Sequence, residues 1–123
     1  MVAAEWDRPG RLLTLRYVGH IRAADTGRVA ADMLRTLAPA QPGFRLLTDL
    51  SALESMELDC APDLEHMMDI CNEKGVSLVV RIIPDPRKDI GLNIMSLFHY
   101  DERVRVVTCA NLAEARSLVQ REE

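Results

Sequence analysis

The residues able to do chemistry lie mainly where predicted strands end. Asp49 and Ser51 follow a buried apolar run, and His20 follows an earlier alternating run. Ligands of open α/β sheets bind beyond the carboxyl ends of the strands, so these side chains predict a candidate binding rim. Helix caps and solvated loops use the same residue types, and this alternative stays open. The complete candidate rim is His20, Asp49, Ser51, Asp85, Arg87, Lys88 and Asn111.

No local pattern assembles a catalytic site. The chain lacks the GxGxxG, GxxxxGK[ST], GxSxG and HExxH motifs. Its histidines fall in different predicted elements, and none has a nearby Cys or Ser in a triad-like local signature. An enzyme that uses Asp49 with His20 remains a hypothesis, although no set of nucleophile, base and orienting group can be named from the sequence.

The cysteines predict neither a disulfide framework nor a metal site. Cys60, Cys71 and Cys109 are widely spaced and odd in number, and no Cys/His ligand spacing occurs. Free cysteines usually behave as small buried hydrophobes, which is the interpretation adopted for all three. No cofactor is predicted.

The composition is that of an ordinary globular chain of 123 residues, 48% hydrophobic and 28% charged, which predicts one domain over residues 1–123. A net charge of −4 gives no electrostatic reason to expect nucleic acid or an anionic membrane as a partner. No apolar run approaches the ~20 residues that a spanning helix needs. No secretion signal is visible, so a cytoplasmic location is expected.

Hydrophobic periodicity predicts the element order ββαβαβαβα. Strands alternating with helices imply parallel β-α-β units, and hence an α/β fold with a mostly parallel sheet, helices on both faces and one extra edge strand from an N-terminal hairpin. The predicted strands are residues 2–7, 11–18, 44–48, 76–83 and 103–109, and the predicted helices are residues 23–37, 62–74, 89–100 and 111–121. The strand over residues 44–48 is expected to end at Asp49, with a loop leading to the second helix.

Acidic residues surround the start of the second predicted helix. They would suit a basic partner or a cation, or they would simply complement the helix dipole. This acidic set is Glu54, Glu57, Asp59, Asp63 and Glu65.

The third predicted helix carries more apolar residues than packing on one sheet face requires. Met95 and Phe98 are its candidate binding residues. The excess would suit a homodimer, a protein partner or a pocket for an apolar ligand. It would equally suit burial beneath the chain's own C-terminal helix.

The stretch over residues 49–57, DLSALESME, resembles a family motif. It is similar to the Asp-Leu-Ser-Gly-Val-x-x-Ile-Asp motif at the strand-to-helix junction of STAS-fold anti-sigma-factor antagonists, and to the SpoIIAA-like branch in particular. The order of elements resembles the same fold over nearly the whole chain. In the antagonists a serine follows the final acidic residue and is phosphorylated by a partner kinase. The matching position here is Leu58, which has no hydroxyl.

The resemblance implies a non-enzymatic, cytoplasmic binding or regulatory module that lacks the phosphorylatable serine. It implies a protein partner or a homodimer. A small apolar, lipid-like ligand is the alternative, because some SpoIIAA-like relatives are compared with lipid-transfer folds. The candidate binding residues are Asp49, Ser51, Glu57, Asp59, Met95 and Phe98.

Overall fold

One five-stranded sheet organises the chain, with the strands in sequence order from one edge to the other. The computed structural model describes residues 1–85, 87 and 91–120. The first two strands are antiparallel and the other neighbours are parallel, which confirms the predicted fold class and element order. The strands are β1 (Val2–Asp7), β2 (Leu12–Ile21), β3 (Arg45–Met56), β4 (Leu78–Ile82) and β5 (Arg105–Cys109); the helices are α1 (Ala23–Thr36), α2 (Ala61–Glu73), α3 (Leu92–His99) and α4 (Leu112–Gln120).

Helices cover both faces of the sheet, as predicted. The larger core lies on the side of α1 and α2, where Leu13, Phe44 and Val79 are completely buried. A smaller core on the opposite face packs Ala115 and Val119 of α4 against β3 and β4. Apolar burial on two sides explains why the central strands are nearly continuous hydrophobic runs.

The predicted end of the third strand is wrong. β3 does not end at residue 48 but continues through Asp49 to Met56, and β2 continues beside it to Ile21. Two register shifts interrupt this pairing, so the buried Leu50 and Leu53 are three residues apart instead of two. A bulge adds a residue to one strand and breaks the alternation, which makes the segment look like a loop in the sequence.

A buried arginine fastens α3 to the sheet. Arg81 of β4 is only 2% exposed and donates a hydrogen bond from Nη2 to Ser96 Oγ, at 2.6 Å. Burial of a guanidinium is tolerated only with hydrogen-bond partners, so this contact fixes the position of α3. The sequence predicts the third helix over residues 89–100, whereas α3 spans Leu92–His99; Asp89 lies outside the described residues.

The substitution Gly75→Ala is expected to destabilise the fold more than Gly19→Ala. Both glycines have positive φ, which costs an alanine about 1–2 kcal/mol. A Cβ at Gly75 would also lie 2.9 Å from Pro42 Cα, whereas a Cβ at Gly19 would meet nothing within 4 Å. The steric conflict adds roughly 1–3 kcal/mol. Urea denaturation of both variants measures the difference, and equal losses would show that the Pro42 contact is unimportant.

Candidate functional site

The junction between β3 and α2 presents one exposed leucine on a fixed backbone. A single 3-10 turn, Leu58–Cys60, links the two elements, and Leu58 is 92% exposed at its start. On one side of Leu58, the backbone N–H of Glu57 donates to Ile21 O at 3.0 Å. On the other side, Cys60 is completely buried. The turn is therefore anchored at both ends while it holds an apolar side chain in solvent.

The acidic residues near this turn divide into two groups. Glu57 Oε1 accepts the Ala23 N–H at 3.3 Å, and Asp63 Oδ2 accepts the hydroxyl of the buried Thr26 at 2.9 Å. These two carboxylates tie α1 to the junction. Glu54 and Asp59 are exposed and make no hydrogen bond or ion pair with another described residue. Both carboxylates of this second group are therefore free to pair with charged groups of a partner.

His20 contacts a serine and a glutamate, not Asp49. Its Nδ1 lies 2.6 Å from Ser55 Oγ, and its Nε2 lies 3.7 Å from Glu57 Oε2. His20 pairs with Ser55 while Asp49 pairs with Arg16, four residues earlier along β2, so the hypothetical Asp49–His20 enzyme site is not assembled. The Ser–His–Glu contacts resemble a triad in composition only, since all three side chains lie on an exposed surface instead of a cleft.

Asp49 and Ser51 form one local unit inside β3. Asp49 Oδ1 accepts both the backbone N–H of Ser51, at 2.9 Å, and the Ser51 hydroxyl, at 2.6 Å. Asp49 Oδ2 lies 3.8 Å from Arg16 Nε on the neighbouring strand. The first register shift falls at the same place, because Val18 pairs with Ala52. Asp49 therefore stabilises a bulge, a role typical of aspartate side chains that bond the backbone two residues ahead.

The remaining residues of the predicted rim are separated. Asp85 and Arg87 pair with each other, with Arg87 Nη2 2.9 Å from Asp85 Oδ2. Asn111 caps α4 through its Oδ1, which accepts the Glu114 N–H at 2.9 Å, and Glu114 in turn accepts the Ala110 N–H. Lys88 lies outside the described residues.

Helix α3 keeps part of its apolar surface exposed. Met95 packs against the larger core, whereas Leu97 and Phe98 are each 79% exposed. The C-terminal helix packs against β3 and β4 on the opposite face of the sheet, so the alternative in which it covers α3 is wrong. Phe98 is thus accessible to a partner. Leu97 is equally exposed, although it is not among the binding residues predicted from the sequence.

A histidine and two carboxylates join α3 to α2. His99 Nδ1 lies 2.7 Å from Asp69 Oδ1, and its Nε2 lies 3.5 Å from Glu65 Oε2. The hydrogen bond to Asp69 raises the pKa of His99, and the charge of Glu65 acts in the same direction. These contacts favour the protonated imidazole, which pairs with both carboxylates and links α3 to α2.

The interior offers little space for a ligand. A cavity of about 30 Å³ lies between the sheet and α2, among Tyr17, Met67 and Arg81. A water molecule needs about 10–15 Å³ on the same scale, so this cavity suits one or two waters. A lipid-like molecule would not fit without opening the core.

The described residues contain neither a metal-ligand cluster nor a helix able to span a membrane. Among them, no group of three or more His, Cys, Asp or Glu side chains could hold a metal ion. None of the helices in the described ranges is long and apolar enough to cross a bilayer. Cys60 and Cys71 are buried, and burial raises the pKa of Cys71 to about 12, which leaves its thiol protonated and inert.

Asp49→Ala is expected to destabilise the protein by about 1–3 kcal/mol, because the bulge loses two hydrogen bonds and the Arg16 contact. Ser51→Ala removes only the hydroxyl contact and should cost less, about 1 kcal/mol or below. Urea denaturation compares the two free energies of unfolding. A loss in Ser51→Ala as large as that in Asp49→Ala would contradict the role given to the carboxylate.

Replacing His99 should change the pH dependence of stability. Since folding raises the pKa of His99, its contribution is fully present below the unfolded-state value of about 6.5 and is lost as pH rises through the folded-state pKa. The advantage of the wild type over His99→Gln should therefore shrink from acidic to alkaline pH. Asp69→Asn should lower the pKa of His99, measured by NMR titration, more than Glu65→Gln does. An advantage that grows with pH would contradict the ion pairing.

The chain resembles known proteins in its fold but not in its sequence. No protein-family model and no curated protein matches the sequence. An uncharacterized protein of the DUF3478 family from Shewanella loihica PV-4, with a SpoIIAA-like fold, shares a TM-score of 0.69 at 16% identity, covering 97% of this chain and 92% of that one. An anti-sigma-factor antagonist from Mycobacterium paratuberculosis gives 0.61 at 19% identity, covering 98% and 93%.

A further similar structure is that of the Bacillus cell fate determinant SpoIIAA in its phosphorylated form. It gives a TM-score of 0.60 at 13% identity, covering 97% of this chain and 99% of that one. The likeness extends over essentially complete chains in all three cases. The chain therefore has the SpoIIAA-like fold of STAS proteins, as the order of its elements and the motif at residues 49–57 predicted.

Proposed function

We propose that this chain is a non-enzymatic, cytoplasmic regulatory module that binds a protein partner at the turn carrying Leu58. The observation that supports this most directly is the 92% exposure of Leu58 on a turn anchored at both ends. A large apolar side chain on an anchored turn suits a binding contact, since the backbone that carries it is already ordered in the free protein. The likeness to anti-sigma-factor antagonists favours a protein partner over a substrate.

The partner's surface should combine an apolar pocket with basic residues. Leu58 would fill the pocket, and the exposed carboxylates of Glu54 and Asp59 would face lysine or arginine around it. Peripheral charges of this kind increase the association rate and the selectivity more than the final affinity. Binding should therefore weaken at high salt without disappearing.

The proposed module lacks the phosphorylation switch of the antagonists at this position. The residue that matches their serine is Leu58, and a leucine side chain cannot accept a phosphoryl group. Binding through this turn should therefore be independent of phosphorylation at residue 58. Introducing a negative charge there should mimic the disruptive effect of a phosphate on an apolar contact.

A small apolar ligand remains the alternative function. The cavity of about 30 Å³ does not support it. The exposed Leu97 and Phe98 of α3 are the candidate contacts for such a ligand.

Leu58→Asp should abolish partner capture while Leu34→Asp leaves it intact. Both substitutions place one carboxylate at an exposed leucine, but Leu34 is 62% exposed on α1, away from the junction. Burying an unpaired carboxylate in an apolar pocket should weaken binding at least about 30-fold, the scale of an interface hot spot. A quantitative pull-down from the source cell, followed by titration with the captured protein, measures this ratio.

Two results would contradict the proposal. One is equal capture by Leu58→Asp and Leu34→Asp at matched thermal stability, which would place the binding surface elsewhere. The other is the failure of the wild type to capture any protein reproducibly. Phe98→Asp adds a comparison for the alternative function, because it should reduce uptake of an apolar ligand only if α3 forms the ligand site.

A further inference from the structure

The outer edge of β5 carries backbone N–H and C=O groups that can pair with another strand. β5 is the last strand of the sheet, so in the described part of the chain no strand pairs with its outer side. Its residues, RVVTC, are exposed or half-buried, and three of them are β-branched. Proteins usually protect such an edge or use it for association.

The direction of the backbone groups identifies which residues are open. The Arg105 N–H donates to Ser77 O at 3.1 Å, and Cys109 O accepts the Ile83 N–H at 2.9 Å, so both residues face β4. Backbone groups alternate in direction along a strand. Val106 and Thr108 therefore direct their N–H and C=O groups away from the sheet.

We propose that β5 pairs with β5 of a second copy, in an antiparallel two-fold arrangement centred on Val107. In this register Val106 of each copy lies opposite Thr108 of the other. Both residues direct their hydrogen-bonding groups outward, so each pair exchanges two backbone hydrogen bonds. A register centred one residue earlier would pair Thr108 with Val104, which lies outside the strand.

Charge complementarity favours a second copy as the occupant. On the α4 face, Arg105 would lie opposite Cys109 of the second copy. Glu114 lies beside that cysteine, because both line the same groove and the Glu114 carboxylate accepts the Ala110 N–H at 2.9 Å. Arg105 is exposed and makes no ion pair with another described residue. The two-fold axis therefore brings Arg105 and Glu114 together twice, a reciprocity that an unrelated strand would not provide.

The other face of β5 contributes an apolar surface. Leu97 of α3 lines a groove with Val104 and Val106 along this edge. The second copy would cover this groove in the same step that pairs the strands. Leu97 is not covered by α4, which lies on the opposite face of the sheet. In the proposed dimer the second copy covers it instead.

Thr108→Pro tests the backbone pairing, with Thr108→Ala as its matched control. Proline removes an N–H that points outward and leaves the hydrogen bonds to β4 intact. Sedimentation equilibrium from micromolar to millimolar concentration should show a wild-type dimer, an unchanged dimer for Thr108→Ala, and at least about tenfold weaker association for Thr108→Pro. Circular dichroism verifies that each variant is folded.

Arg105→Glu provides a second test that does not depend on a proline. It places a carboxylate near Glu114 of the other copy, so association should weaken roughly tenfold and more so at low salt. Arg116→Glu makes the same charge change on α4, away from β5, and should leave the dimer unchanged. A wild type that is monomeric at every concentration would overturn the proposal, as would a dimer that resists both Thr108→Pro and Arg105→Glu.

Discussion

The pairing of β2 with the second half of β3 is the constraint on which the candidate site depends. Beyond Asp49, β3 has lost its neighbour β4, since Asp49 pairs with the last residue of that strand. Among the described residues, β2 is the strand that pairs with this segment, and the pairing contains two bulges. Their combined effect is to carry the chain as far as Met56 within the sheet, so that the turn at Leu58 begins from a hydrogen-bonded strand instead of a free loop.

The extension of β3 beyond Asp49 explains why polar residues near its carboxyl end stabilise the fold. Backbone groups without a partner in a strand ladder or a helix must be satisfied by nearby side chains. Asp49 accepts the Ser51 N–H at the first bulge, and Glu57 accepts the Ala23 N–H at the first turn of α1. Some residues that the sequence places in a binding rim therefore already form hydrogen bonds to the backbone, and they stabilise the fold instead of facing a ligand. What remains for recognition is the Leu58 side chain and the carboxylates of Glu54 and Asp59, which form no hydrogen bond or ion pair with another described residue.

The sequence predicted the layers of this fold better than its site. The alternation of strands and helices depends on local hydrophobic periodicity, which can be detected within a short stretch of sequence. A bulge changes the period by one residue, so Leu50 and Leu53 could not be assigned to one face from spacing alone. His99 meets Asp69 only because the chain returns after 30 positions, which no local pattern encodes. Leu58 stands in the sequence between two acids and fits neither the helical nor the strand period, and this pattern is itself a signal of exposure.

The two proposed surfaces lie on different strands and serve different purposes. β4 separates β3 from β5, so pairing at the β5 edge leaves the Leu58 turn uncovered. A two-fold dimer would then present two such turns, related by the same axis. A partner that is itself dimeric, or that carries two binding segments, would bind both turns, and its second contact would form at a raised effective concentration. Dimerisation through β5 would therefore strengthen recognition at Leu58 without any new contact there.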